Sequence, residues 1–142
     1  MTGKQICIED VHVGLVLPEL VKQPTTSMLF RFSAVTWNAH RIHYDEPYAR
    51  SEGHDRVLVQ ATMHGAFLLQ IITGFAGPAG RVTEFTYSNR GKAMPGDILT
   101  LGGTVTELDD AAAIVGCDIW ERNHQHVICA VGSARILLPR RG

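Results

Sequence analysis

Between residues 30 and 49 the chain reads FRFSAVTWNAHRIHYDEPYA, and no other stretch is so dense in groups capable of chemistry. His40 and His43 stand three apart, Asn38 stands five before His43, and Tyr44, Asp45 and Glu46 follow at once. Imidazole titrates near neutral pH, so either histidine could give and take a proton. The amide of Asn38 can hold a water molecule but cannot exchange a proton with it. Phe30, Phe32, Val35 and Trp37 precede this cluster and Ile42 lies inside it. A polar edge set into an apolar wall is the usual make-up of a ligand site. On spacing alone, a surface loop with two solvated histidines is the competing reading.

Groups like these need elements to hold them. MLFRFSAVTW runs into the cluster as a buried strand or a short helix. Pro47 suits the first turn of a short helix, and Gly53 permits a turn after it. Beyond a short apolar entry at Val57 to Val59, apolar residues recur from Ala61 at Met63, Phe67, Ile71 and Phe75, with Leu68 and Ile72 beside them. That spacing predicts one long, mostly buried helix, ended by Gly74, Gly77 and Pro78. After Gly80 the pattern turns to strands: RVTEFTYSNRGKA, GDILTLGGTVTELD, AAIVGCDIWERN and HVICAVGSARILL, with a turn at Asp109-Asp110. The alanines at 111 to 113 are expected at the start of a strand. Long strands joined by short turns predict an antiparallel meander. With ELVKQPT as a first strand, the class is α+β. Residues 1–27 read as a lead-in, and MTGKQ and PRRG as frayed ends.

Composition narrows the function. The 142 residues fit a single domain with a real core. A formal charge of −1 leaves no basic footprint for nucleic acid. No apolar run approaches the roughly 20 residues that span a bilayer, and no signal peptide is recognisable. Cys7, Cys117 and Cys129 are scattered, without a CxxC, and are expected to be reduced structural thiols in a cytoplasmic protein. His124 and His126 lack metal-site spacing, so no metal is expected. His64, one turn into the long helix, reads as a packed polar residue.

Asn38-Ala39-His40-Arg41-Ile42-His43-Tyr44-Asp45 resembles the active-site frame of the MaoC-like dehydratases and (R)-specific enoyl-thioester hydratases. That frame is Asp, any residue, Asn, Pro, Ile or Leu, His, and an acid one residue later. His43 falls on the family histidine and Asn38 on its aspartate, while His40-Arg41 replace Asn-Pro. SAVTWNAHRIHYDEPYA is similar to the mitochondrial 3-hydroxyacyl-thioester dehydratases and the mesaconyl- and itaconyl-CoA hydratases of the same family. Weaker similarity runs through RVLVQATMHGAFLL and RGKAMPGDILTLGG, over roughly residues 28–138.

The resemblance implies a single hotdog domain, an antiparallel sheet wrapped around one long central helix. It implies reversible hydration of an enoyl thioester to the 3-hydroxyacyl thioester. His43 would then be the acid/base and Asn38 would help hold the reacting water. The aspartate's proton duty would pass to His43, pass to a neighbour, with His40, Asp45 and Glu46 as candidates, or be lost. The family offers a glycine N–H to the thioester oxygen at the start of the helix. Ala61 takes that place here, with Gln60 where histidine is common. Arg90 and Lys92 are candidates for the phosphates of a CoA or carrier-protein arm, although a solvated loop is the competing reading. No cofactor is implied beyond that arm of the substrate. A homodimer, or a heterodimer with another hotdog subunit, is implied. Two alternatives stay open: a non-catalytic hotdog subunit beside an active partner, and a hotdog thioesterase.

Overall fold

The computed structural model describes residues 5–142. Residues 1–4, part of the stretch expected to fray, lie outside the described residues. Three helices and five strands follow in the order β1 (Leu20–Lys22), α1 (Thr26–Thr36), α2 (Glu46–Ser51), α3 (Ala61–Ala76), β2 (Arg81–Asn89), β3 (Leu99–Asp109), β4 (Ile114–Asn123) and β5 (Ile128–Leu137). The strands form one antiparallel sheet in the order β1-β3-β4-β5-β2. The sheet curls around α3 in the α+β arrangement that the hotdog resemblance implies.

Burial explains the curl. Met63, His64, Gly65, Phe67, Leu68, Ile71 and Ile72 are all buried on α3. Alternate residues Val115, Cys117, Ile119 and Glu121 of β4 are buried too, the period-two signature of a strand with one covered face. Helix and sheet approach each other closely at Gly65. A Cβ there would lie 2.3 Å from the ring of Tyr87 on β2, so any larger residue would force that ring to move.

MLFRFSAVTW resolves as helix. The side chain of Thr25 accepts the Met28 N–H at 3.2 Å and caps α1, whose packed face is narrow, with Leu29 and Ser33 buried. The long helix runs through Gly74 and stops at Gly77, whose positive φ of 68° ends it. The alanines at 111 to 113 are a turn rather than strand. Ala113 adopts a left-handed φ of 56°, which breaks extended backbone, and β4 begins at Ile114.

The chain ends are also tied down where they are described. The Gln5 side chain donates to the Ala76 carbonyl at 2.9 Å and accepts the Ala79 N–H at 2.9 Å, bracketing the end of α3. Leu138 is buried, and Arg140 and Arg141 pair with Asp110 and Asp10. These contacts hold Gln5, Arg140 and Arg141 against the fraying expected of them. All three cysteines are unpaired. Burial pushes the Cys117 and Cys129 thiols up to about 11.

Candidate active site

The polar cluster is placed by the end of α1 and the single turn that follows. Trp37 closes α1 in a left-handed conformation, φ 54°. The Asn38 N–H then returns to the Ser33 carbonyl at 3.0 Å, which turns the chain sharply. The Asn38 Oδ1 accepts the His40 N–H at 3.3 Å, an Asx-type turn. That contact fixes which end of the amide is oxygen, and the Nδ2 group meets no acceptor among the described residues. Arg41–His43 form a 3-10 turn. Asp45 then caps α2 through the Tyr48 N–H at 3.1 Å.

His43 is 7% exposed. Its Nδ1 lies 2.8 Å from the Leu58 carbonyl, which can only accept, so Nδ1 carries the proton and Nε2 keeps its lone pair. Leu58 is itself fixed, its N–H donating to the Ile42 carbonyl at 2.9 Å. Burial lowers the pKa of His43 below its ordinary 6.5. The Leu58 bond opposes that shift, and the charge of His40 adds to it. The result is a neutral imidazole at pH 7, able to accept a proton.

Two grooves flank this edge. One, of about 280 Å³, is lined by Asn38 together with Phe30, Ala34, Trp37, Ala39 and Tyr44. The other, of about 380 Å³, is lined by His43 with Thr26, Ser27, Glu46 and Val57, and it shares Phe30 and Tyr44 with the first. Phe30 and Tyr44 form a ridge shared by both grooves, with Asn38 lining one groove and His43 the other.

The start of α3 is tied to the same region. Gln60 is fully buried, and its Nε2 donates to the Leu29 carbonyl at 2.7 Å and to the Ser33 hydroxyl at 2.9 Å. It clamps the first turn of α3 onto α1, while its Oε1 has no protein partner. Ala61 is exposed, and its N–H meets no acceptor among the described residues. Unpaired N–H groups at a helix start, at the positive end of its dipole, suit an oxygen gaining negative charge.

The remaining candidates separate from this centre. His40 is exposed, with its ring edge-on to His43 at 5.9 Å between centroids. Asp45 is held by Arg41 at 2.6 Å as well as by its capping bond. Those bonds keep its carboxyl below the usual range, led by the one from Arg41. Its visible work is structural. Glu46 lines the His43 groove but is paired with Arg50 at 2.6 Å. Arg90 lies on the outer face of the sheet beside Trp120, and Lys92 lies 3.0 Å from His54. Neither lines the two grooves. Among the described residues no three His, Cys, Asp or Glu side chains are grouped to hold a metal ion.

The roles of four residues were not read from the sequence. The Leu58 carbonyl sets the tautomer of His43, but a backbone group leaves no mark in a sequence. Ser33 joins Gln60 through a pairing 27 residues long. Phe30 and Tyr44 form the ridge; their apolar and aromatic character was visible, but not their placement.

A curled antiparallel sheet wrapped about one long helix defines a hotdog fold. Residues 18–94 match the family described as hydroxyacyl-thioester dehydratase type 2, and the chain belongs to that family. It is 47% identical over 49 residues to the mesaconyl-C(4)-CoA hydratase of Chloroflexus aurantiacus, a stretch that is 34% of this chain and 18% of that protein. The R-hydratase PhaJ1 of Pseudomonas aeruginosa superposes with a TM-score of 0.88 at 22% identity, covering 96% of this chain and 88% of that one. A chain of the ChsH1–ChsH2 complex from Mycobacterium tuberculosis gives 0.81 at 20% identity, covering 89% and 98%. At such identities these structures share the fold. No helix among the described residues is long and apolar enough to cross a membrane.

Proposed function

We propose that the chain is a hydro-lyase that interconverts an enoyl thioester and its 3-hydroxyacyl thioester. One observation carries this reading: His43 is buried and neutral, with Nδ1–H spent on Leu58 and Nε2 left free. In hydration, a water held by the Asn38 amide gives a proton to His43 Nε2 as its oxygen bonds to the β-carbon. The thioester oxygen takes up enolate charge and rests on the Ala61 N–H. Protonated His43 then returns the proton to the α-carbon, so one water is added and nothing else is consumed. No metal or redox cofactor enters these steps. A substrate lying across the Phe30–Tyr44 ridge would touch both residues. The decisive assay follows crotonyl-CoA with the purified protein, monitoring enoyl absorbance and free thiol together. Loss of absorbance without thiol is expected. Thiol release would mean thioester hydrolysis instead.

A second reading, a non-catalytic subunit, is favoured by Asn38 standing where the family has a carboxylate. It predicts no turnover by the chain alone, and activity gained by Asn38→Asp or on adding a catalytic hotdog partner. In either reading the chain works as at least a dimer, because β2 is a nine-residue edge strand with a partner on one side only. A monomeric mass by light scattering at micromolar concentration would refute this.

A further inference from the structure

We infer that the groove beside Asn38 is an acyl-tail subsite that selects an uncharged aliphatic tail and rejects a tail ending in a carboxylate, with Trp37 as its wall. This rests on the hydration reading above and names the substrate class of that site. The first observation is Trp37 itself. It is 92% exposed and held at a left-handed φ of 54°. Bulky residues seldom take that conformation, and such outliers gather at functional sites. Trp37 directly precedes Asn38, and it lines the same groove with Phe30, Ala34, Ala39 and Tyr44. The second observation is room. About 280 Å³ equals roughly nine water volumes of about 30 Å³, enough for a short aliphatic tail.

Charge decides which tail. No Lys, Arg or His lines this groove. Tyr44 is turned away from ligand duty, its hydroxyl donating to the Ala39 carbonyl at 2.8 Å. Arg41 is bound by Asp45 and stacked on Tyr48, with its Cζ 4.4 Å from the ring centroid. Arg31, on α1, is not among the lining residues. The neighbouring groove offers no free cation either: its acid, Glu46, already holds Arg50. A carboxylate placed here would meet only the neutral Asn38 amide and Ser33 hydroxyl, with no cation to balance its charge. The tail of a mesaconyl thioester ends in such a group, so this chain should part company with its Chloroflexus relative on substrate.

The test compares hydration of crotonyl-CoA and mesaconyl-CoA, with calorimetric binding of the unreactive butyryl-CoA and succinyl-CoA as a second arm. We expect at least a tenfold preference for crotonyl-CoA in kcat/KM and for butyryl-CoA in binding, on the scale of pocket discrimination. Trp37→Ala should weaken butyryl-CoA binding and raise KM more than it lowers kcat. Ala34→Arg should reverse the preference by supplying the missing cation. Equal or better use of mesaconyl-CoA, or an unchanged ratio in a folded Ala34→Arg protein, overturns the subsite. If neither enoyl thioester reacts, the hydration reading fails. The binding arm then decides the subsite alone: a preference for butyryl-CoA that Ala34→Arg reverses sustains it, and equal or absent binding removes it.

Discussion

His43 and His64 are both buried, 7% and 3% exposed, and both use Nδ1 in a hydrogen bond. They differ in what that bond leaves over. His43 spends Nδ1 on a neutral carbonyl at the rim of a groove, and its other nitrogen is available to a ligand. His64 is bound to Glu121 between α3 and β4, and Glu121 is fully buried with Oε2 unpartnered. The first histidine is equipped to move a proton; the second ties helix to sheet. Burial and a hydrogen bond do not by themselves mark a catalytic histidine. The partner's charge and the reach of the remaining nitrogen do.

The sharpest way to break this contrast is to remove each histidine's function in turn. His43→Ala should lower kcat by about 100- to 10,000-fold, the range for a lost general acid/base, with little change in thermal stability. Glu121→Ala should do the reverse. It should cost about 3–5 kcal/mol of stability by denaturant titration, since one member of a buried pair is left alone, while kcat of the folded fraction stays within a few-fold. Replacing both His64 and Glu121 with leucine should recover much of that stability. A catalytic loss in Glu121→Ala as deep as in His43→Ala would erase the distinction.

Smaller effects sharpen it. Ala61→Pro removes one oxyanion donor and should cost turnover on the order of 100-fold. The fold should accept it, because Gln60 already has the extended ψ of 139° that a following proline requires and proline suits the first helical position. Full activity in the folded variant would refute the assignment.

The smallest expected effect is in pH. The lowered pKa of His43 places the acid limb of activity below 6.5. His40→Ala removes one lowering influence and should move that limb upward. The stability sign follows from the same shift. Folded His43 resists protonation more than unfolded His43 does, so its contribution is complete above 6.5 and is lost as pH falls from there through the folded value. Denaturant titrations across that window should show the loss in the parent protein and a flatter profile in His43→Leu.

Local pattern carried most of the fold into the sequence. The four-residue steps from Ala61 located α3, Pro47 located α2, and alternation located β2. What escaped was set by distant contacts or by single dihedrals. Nothing local distinguishes Ala113, with its left-handed φ, from the alanines before it. Gln5 is an ordinary polar residue until the end of α3 reaches it. At the site, residue types and spacing were legible for His43 and Asn38. Their placement in two grooves that share an aromatic ridge was not, because it depends on how the α1 face and the following turn meet. Arg90 and Lys92 were adjacent enough in sequence to suggest one task, yet the fold sends them to different neighbours.

The near-contact of Gly65 and Tyr87 also limits how this lineage can change. Any side chain at 65 would occupy the place of the Tyr87 ring. A descendant can enlarge position 65 most easily after position 87 has become smaller; otherwise the Tyr87 ring must swing aside or the helix must withdraw from the sheet. Shrinking position 87 leaves a void between the layers, and withdrawal displaces the start of α3 from the turn that carries His43. Across divergent relatives, the two positions should vary as a pair, with the tyrosine lost before the glycine more often than after it.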